Sequence, residues 1–282
     1  DLAAATKTEI FKKAYPERFF DTGIAEGNMM SVAAGIATTG KPVFASSFAM
    51  FAAGRSYEQI RNSIAYPHLN VKIGATHAGI TVGEDGATHQ CIEDLALMRG
   101  IPGMTVINPA DAVETYAAVE FALNFDGPVY LRFSRLATEE IFDSSYKFTL
   151  GKGQILIEGS DVTIISTGIM ATAAIEAADA LKKEGIKARV VNMASIKPID
   201  EELIIKCAKE TGAIVTVEDH SIIGGLGTAV SEVIAEKAPC ILRRIGVRDV
   251  FGRSGKPADL FKYYHMTPDD IASSAKEAIK LK

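Results

Sequence analysis

The chain of 282 residues contains no Trp, only three Cys and no large excess of either charge. Cys91, Cys207 and Cys240 lie far apart in the sequence and form no CxxC pair. An odd, scattered set of this kind indicates neither a disulfide framework nor a zinc site. The cysteines therefore predict a protein of a reducing compartment, and we expect a cytoplasmic location.

Basic stretches and long apolar stretches are also missing. The net charge is -5, and no basic run is present that would attract nucleic acid or an anionic membrane. No apolar run approaches the roughly 20 residues of a membrane span, and the N-terminus lacks the pattern of a signal peptide. We therefore expect a soluble protein with no nucleic-acid partner and no membrane partner.

The apolar residues alternate between strand and helix patterns. From residue 16 onward, short β-rich runs are followed by longer helical ones, which is typical of parallel sheets with crossover helices. A polar stretch at residues 141–153 has no helical period and separates two such series. The sequence predicts an α/β fold with two consecutive three-layer α/β/α domains and mainly parallel sheets, at residues 1–140 and 154–282 with the linker between them.

The strands and helices follow from these runs. The predicted strands are Arg18–Asp21, Pro42–Ser46, Val71–Thr76, Met104–Asn108 and Val129–Phe133, then Val162–Ser166, Ala188–Asn192, Ala213–Glu218 and Ile241–Val247. The predicted helices are Glu26–Ala37, Ala53–Ala65, Cys91–Arg99 and Ala112–Asn124, then Ala171–Glu184, Glu201–Glu210, Gly227–Ala235 and Asp269–Leu281. Thr267, Pro268 and Asp270 mark the start of the last helix with an N-cap, a first-turn proline and a capping-box acid.

Polar and aromatic residues follow the predicted strands of the first half. In open parallel sheets, ligands bind beyond the carboxyl ends of the strands. The candidate residues at this edge are Glu26, Phe48, Phe51, His77, Asp85, His89 and Arg135. Their shared position indicates a functional site.

Each candidate also has a purely structural interpretation. Glu26 is compatible with an acid that interacts with a helix dipole. Phe48, Phe51 and His77 are compatible with core positions, and Arg135 is compatible with a solvated strand end. The position of all of them along one sheet edge is what favours a site over these alternatives.

Several segments resemble the pyrimidine-binding domain of the transketolase family. The longest is T-H-A-G-I-T-V-G-E-D-G-A-T-H-Q, from Thr76 to Gln90. The other similar segments are Gly23–Glu26, Phe48–Arg61, Asn108–Asp111, Phe133–Arg135, Val217–His220 and Gly224–Gly227. The likeness covers nearly the whole chain, which resembles the C-terminal section of a split transketolase, with a pyrimidine-binding domain and a transketolase C-terminal domain.

The resemblance implies a transferase that uses thiamine diphosphate to move a two-carbon ketol unit between phosphorylated sugars, as in the pentose phosphate pathway. In the family, an acid at the Glu26 position contacts N1′ of the aminopyrimidine, and aromatic residues at the positions of Phe48 and Phe51 pack around it. His77 matches a substrate-side histidine, which we group with Glu26 as catalytic. The further substrate contacts that the resemblance implies are Asp85 to a sugar hydroxyl, His89, and Arg135, whose planar fork suits a phosphate.

The family's metal motif, Gly-Asp-Gly followed further on by Asn, does not occur in the sequence. The resemblance therefore implies that this chain supplies no metal ligand. A partner, the N-terminal transketolase section, is expected to bind the diphosphate and Mg²⁺ or Ca²⁺, which prefer oxygen ligands. We expect a heterotetramer with that partner or a homodimer of this chain. The family also has a strand and a helix before Asp1, so the chain looks truncated relative to the pattern.

Other functions remain open from the residues alone. One is an enzyme similar to 1-deoxy-xylulose-5-phosphate synthase, and another is a β chain similar to that of the 2-oxo acid dehydrogenase E1 component. A third is a non-catalytic homologue that kept the fold. The Gly83–Gln90 loop and Ser134–Arg135 favour a transketolase over both enzymes. The second domain shows no catalytic set, so we expect it to serve assembly and His220 to be structural.

Overall fold

A computed structural model describes residues 2–282, which fold into two mainly parallel β-sheets with flanking helices. The strands are β1 (Val43–Phe48), β2 (Val71–Thr76), β3 (Thr105–Ile107), β4 (Val129–Arg132), β5 (Gln154–Ile157), β6 (Val162–Ser166), β7 (Ala188–Asn192), β8 (Ser195–Lys197), β9 (Ala213–Ser221) and β10 (Ile241–Val247).

The α-helices are α1 (Glu9–Ala14), α2 (Glu26–Ala37), α3 (Tyr57–Gln59), α4 (Asp94–Arg99), α5 (Ala112–Asn124), α6 (Met170–Lys183), α7 (Glu201–Thr211), α8 (Leu226–Lys237), α9 (Pro257–Tyr263) and α10 (Pro268–Lys280). Short 3₁₀ segments cover Pro16–Arg18 and Ile80–Asp85, and π-helical segments cover Met50–Arg55 and Ile60–Ala65.

The first sheet has the strand order β1-β2-β4-β3-β8. The first four of these strands run parallel, so their carboxyl ends meet at one edge. β8 is antiparallel to β3, with Val106 opposite Lys197, and it belongs to the second half of the chain. The two halves of the sequence therefore share a sheet, which the strand pattern did not predict.

The second sheet has the order β10-β9-β6-β7-β5. β10, β9, β6 and β7 are parallel, and β5 adds an antiparallel edge strand to β7. β6 and β7 are buried along their whole length, as expected for parallel strands that are covered on both faces.

Alternate residues of the second sheet enter different cores. Ile164 and Val215 pack with residues of α6 and α10. Ile165 and Ile214 pack with residues of α7 and α8. Because successive side chains of a strand point to opposite faces, each face carries one helix pair, which gives a three-layer α/β/α arrangement.

The core on the α7 and α8 side continues into the first domain. One cluster of buried side chains includes Ile204 and Val230 of the second domain together with Met30, Ile73 and Met98 of the first. The hydrophobic driving force scales with buried apolar area, so a shared core of this kind fixes the two domains against one another.

Most predicted elements agree with the structure. The helix Glu26–Ala37 and the strands Val71–Thr76 and Val162–Ser166 have the predicted bounds. The capping box is also present, because the Thr267 side chain accepts from the Asp270 amide while the Asp270 carboxylate accepts from the Thr267 amide.

Two predicted elements were wrong. Arg18–Asp21 is not a strand: Pro16–Arg18 forms a 3₁₀ turn, and the following residues join neither sheet of residues 2–282. The run had strand-like composition but no neighbouring strand to pair with. The predicted α-helix Ala53–Ala65 is instead two π-helical segments on either side of α3.

Within residues 2–282, no helix has both the length and the apolar character that crossing a bilayer would require.

Candidate active site

The candidate residues of the first domain lie at the carboxyl edge of the first sheet. Phe48 is the last residue of β1, and His77 follows the last residue of the neighbouring strand β2. Arg135 follows β4, which is the next strand in the sheet. Adjacent parallel strands that end at one edge bring these side chains together.

Four aromatic rings form a continuous stack at this edge. The Phe48 and His77 ring centroids are 3.8 Å apart, with 20° between the planes. Phe48 also stacks on Phe51, with 6.0 Å between centroids and 14° between planes. The His89 and Phe51 rings are nearly perpendicular, with 5.3 Å between centroids and 76° between planes. The structure thus places two predicted aromatic residues and both predicted histidines in one cluster.

Glu26 joins this cluster through Arg55. The Glu26 side chain begins α2 and is buried. Arg55 Nη1 donates a hydrogen bond to Glu26 Oε2 at 2.8 Å, and the Arg55 guanidinium carbon lies 4.9 Å from the Phe51 ring centroid. Such a cation–π contact orients the guanidinium between carboxylate and ring. Among the hydrogen bonds of residues 2–282, Glu26 accepts only this one, so Oε1 remains for a ligand.

The sequence did not predict Arg55 as a site residue. The signal was present, because Arg55 lies four residues after Phe51, a spacing that places two side chains on one helical face. The helix here is π-helical, from Met50 to Arg55, and π segments are frequent at functional sites.

His77 has an unusual backbone and an altered proton affinity. Its φ of 57° lies in the left-handed region, which residues other than glycine seldom adopt and which often marks functional sites. Its Nδ1 lies 3.0 Å from Thr76 Oγ1. Burial lowers the pKa of His77, the positive charge of Arg135 lowers it further, and the carboxylate of Asp85 partly offsets both. The ring is therefore neutral at neutral pH.

Arg135 and Asp85 lie on the rim of the same cluster. Arg135 Nη1 donates to the Val82 carbonyl at 2.5 Å and lies 3.9 Å from Glu84. Its side chain is 44% exposed, which leaves part of the guanidinium free to meet a ligand. Asp85 is exposed. Both residues are close enough to His77 to shift its pKa.

A cleft of about 740 Å³ adjoins the ring stack. Phe51, Arg55 and Thr88 line it from the first domain. Ser221 and residues 249–252 line it from the second domain. The expectation that the second domain serves assembly is thus incomplete, because this domain also forms one wall of the cleft.

The arrangement fits a flat, nitrogen-containing ring such as an aminopyrimidine. The Phe51 side chain lines the cleft and offers apolar area to such a ring, and the buried Glu26 carboxyl, with Oε1 free of hydrogen bonds within residues 2–282, can accept or donate a hydrogen bond at a ring nitrogen. Within residues 2–282, no group of three His, Cys, Asp or Glu side chains is placed to hold a metal ion.

The sheets and the cluster define a two-domain α/β protein with an aromatic and ionisable cleft at the carboxyl edge of its first sheet. The family model of the transketolase pyrimidine binding domain matches residues 1–140, and that of the transketolase C-terminal domain matches residues 151–271. The chain belongs to the transketolase family.

Several known transketolase proteins are similar to this chain over nearly its whole length. A putative transketolase C-terminal section from Methanocaldococcus jannaschii is 55% identical over 99% of this chain and 89% of its own length. A 6-deoxy-6-sulfo-D-fructose transketolase subunit from a Clostridium species is 45% identical over 100% of this chain and 88% of its own length. A solved structure described as a split gene transketolase, inactive beta4 tetramer, has a TM-score of 0.94 at 55% identity and covers 100% of this chain and 91% of its own. The predicted resemblance and α/β fold are therefore confirmed, and the chain is a transketolase-family subunit.

Proposed function

We propose that this chain is one half of a thiamine-diphosphate-dependent transketolase, which transfers a two-carbon ketol unit between phosphorylated sugars. The observation that carries the proposal is the continuous contact from Glu26 through Arg55, Phe51 and Phe48 to His77. It joins a buried carboxyl, an aromatic surface and a neutral histidine at one sheet edge.

Each side chain has a task in this proposal. When bound, thiamine diphosphate supplies a nucleophilic carbon that carries the two-carbon unit. Glu26 Oε1 would hold a proton at N1′ of the aminopyrimidine, and Phe48 and Phe51 would form the apolar side of its site and exclude water. His77, kept neutral by burial and by Arg135, exchanges a proton with a sugar hydroxyl.

The rim residues would bind the sugar phosphate. Arg135 presents a planar fork of donors to the phosphate oxygens, which is the geometry that arginine matches best. Asp85 accepts a hydrogen bond from a sugar hydroxyl, and His89 contacts the substrate from its place on the Phe51 ring.

The proposal includes a partner chain, because the residues assigned here supply neither metal ligands nor a diphosphate site. An N-terminal transketolase section would bind the diphosphate and Mg²⁺ or Ca²⁺ and close the cleft. Residues 1–140 would form the pyrimidine domain, 141–153 the linker and 154–282 the C-terminal domain. The similar split-gene structure is an inactive beta4 tetramer, which supports an oligomer that needs the second chain for activity.

Reconstitution tests the proposal. The chain is mixed with an N-terminal transketolase section, thiamine diphosphate and Mg²⁺, and ketol transfer between sugar phosphates is measured. Activity is expected from the mixture and not from the chain alone. Ketol transfer by the chain alone would refute the split site, and activity with pyruvate as donor in place of a ketose phosphate would refute the assigned reaction.

Glu26→Ala tests the catalytic assignment. Because the carboxyl handles a proton in the reaction, its loss should reduce the turnover of the reconstituted enzyme by about 100-fold or more. Glu120→Ala is the matched control, since Glu120 is an exposed glutamate on α5. Equal activity in the two variants would mean that the Glu26 carboxyl takes no part in the chemistry.

A further inference from the structure

The carboxylate of Asp219 crosses from the second domain to the loop between β2 and α4 of the first domain. Its Oδ1 accepts a hydrogen bond of 2.9 Å from the Ile80 amide, where the 3₁₀ segment Ile80–Asp85 begins. Its Oδ2 lies against Gly79, where an added Cβ would come within 2.0 Å of that oxygen. The contact is closely packed, and it joins residues 139 positions apart in the sequence.

The position of Asp219 is itself fixed. The residue is buried on β9, and Arg132 Nη2 donates to its carbonyl oxygen at 2.8 Å. The same guanidinium pairs through Nε with Asp94 at 2.9 Å, and both side chains of this ion pair are buried. Asp219 is therefore not a mobile surface group but a fixed support.

The loop that Asp219 holds carries the groups assigned to the sugar phosphate. Val82, two residues after Ile80, accepts the hydrogen bond from Arg135. Asp85 ends the 3₁₀ segment, and His89 follows it and meets the Phe51 ring. A displacement at Ile80 is expected to reach Val82 first, because only one residue separates the two.

We propose that Asp219 is a positioning residue, through which the second domain fixes the sugar-phosphate end of the active site. The identity of the substrate rests on the proposed function, whereas the contact between Asp219 and the loop does not. Loss of the carboxylate leaves the buried Ile80 amide without its acceptor. Because an unpaired buried amide is unfavourable, the loop is expected to shift so that water can reach this amide.

Glu218 provides a matched control. It is the neighbouring residue on β9 and is equally buried. Its carboxylate also accepts hydrogen bonds from backbone amides, those of Leu226 and Gly227 at the start of α8, at 2.6 and 2.8 Å. These amides belong to the second domain, so Glu218 has the same chemistry as Asp219 without a bond to the loop.

Amide hydrogen exchange on the full chain, without partner or cofactor, tests the positioning directly. In Asp219→Ala, exchange across residues 79–90 should accelerate about tenfold or more, because a hydrogen bond to a charged group is lost. Asp219→Asn, which keeps an acceptor oxygen, should restore most of the protection. In Glu218→Ala the faster exchange should appear at the start of α8 instead. Unchanged exchange at residues 79–90 in Asp219→Ala would overturn the proposal.

Kinetics of the reconstituted enzyme test the consequence. Asp219→Ala should raise KM for the sugar phosphate about tenfold, while kcat and the affinity for thiamine diphosphate change about twofold or less. Glu218→Ala should leave KM within about twofold. An equal rise of KM in both variants would refute the positioning role. If the unchanged chain transfers no ketol unit, the proposed function fails and hydrogen exchange still decides the role of Asp219.

Asp219→Ser, whose side chain is too short to reach Ile80, replaces Asp219→Ala if the latter does not fold.

Discussion

Replacing Arg132 by Met is expected to destabilise the first domain severely and to remove one of its hydrogen bonds to the second domain. The Arg132 side chain is 1% exposed and the side chain of its partner Asp94 is 0% exposed. Arg132 Nε donates to both Asp94 oxygens, at 2.9 and 3.2 Å, and Nη2 donates to the Asp219 carbonyl at 2.8 Å. Met fills most of the same volume but offers none of these donors, so the substitution removes the polar contacts and keeps the packing.

The size of the stability loss follows from the negative charge of Asp94, which stays buried without its partner. Of the hydrogen bonds that β4 donates to the Asp94 carboxylate, only the one from the Tyr130 hydroxyl, at 2.8 Å, would remain. Removing one partner of a buried ion pair costs about 3–5 kcal/mol, because the remaining charge is uncompensated in a medium of low polarity. A loss of that size lowers the midpoint of thermal unfolding by roughly 10 °C in a protein of this length.

Thermal unfolding of three variants measures this effect. Arg132→Met should show the full loss of stability. The double variant Arg132→Met with Asp94→Asn should recover part of it, because the unpaired charge of Asp94 is removed. Arg243→Met is the control, since Arg243 pairs with Glu277 at the surface and such pairs contribute about 1 kcal/mol or less. If Arg132→Met were no less stable than Arg243→Met, the argument from buried charge would be wrong.

Two further predictions concern protons. The His77 ring should titrate in NMR spectra below its ordinary pKa of 6.5; Arg135→Gln should raise the midpoint by removing a positive charge, and Asp85→Asn should lower it. If neither substitution changed the titration midpoint of His77, the placement of these charges would be contradicted. Burial raises the pKa of Glu218 from 4.5 to about 7, so the folded state binds more protons than the unfolded state in that range, and stability falls as pH rises through it. Glu218→Gln should flatten this fall in unfolding free energies measured between pH 5 and 7, and an unchanged slope would refute the assignment.

Periodicity was sufficient for elements whose pattern is local. The helix Glu26–Ala37 and the strand Val162–Ser166 were predicted with the observed bounds because their apolar spacing and their boundaries lie in the same short segment. β8 could not be found in this way. It has three residues, Ser195–Lys197, and it is a strand only because β3 of the other domain lies beside it.

The site shows the same division between local and distant information. Phe48 and His77 could be singled out because each follows a strand, and neighbouring strands must end side by side. Their ring centroids lie 3.8 Å apart and His77 has a left-handed backbone, and no sequence pattern predicted either feature. Arg55 was missed because its carboxylate partner, Glu26, becomes a neighbour only when α2 packs beside the π-helical segment that carries Arg55 and Phe51.

One short segment of β9 carries two of the contacts through which the second domain acts on the proposed site. Asp219 bonds the loop that begins at Ile80, and the next residue, His220, accepts from the Leu95 amide in α4 through Nε2. Burial lowers the pKa of His220 to about 4, so the ring stays neutral and remains an acceptor at neutral pH. Two successive side chains of one domain therefore fix both ends of the Gly79–Leu95 region of the other. Residues 1–140 of this chain expressed without β9 would therefore lose two supports of the segment that carries Asp85 and His89.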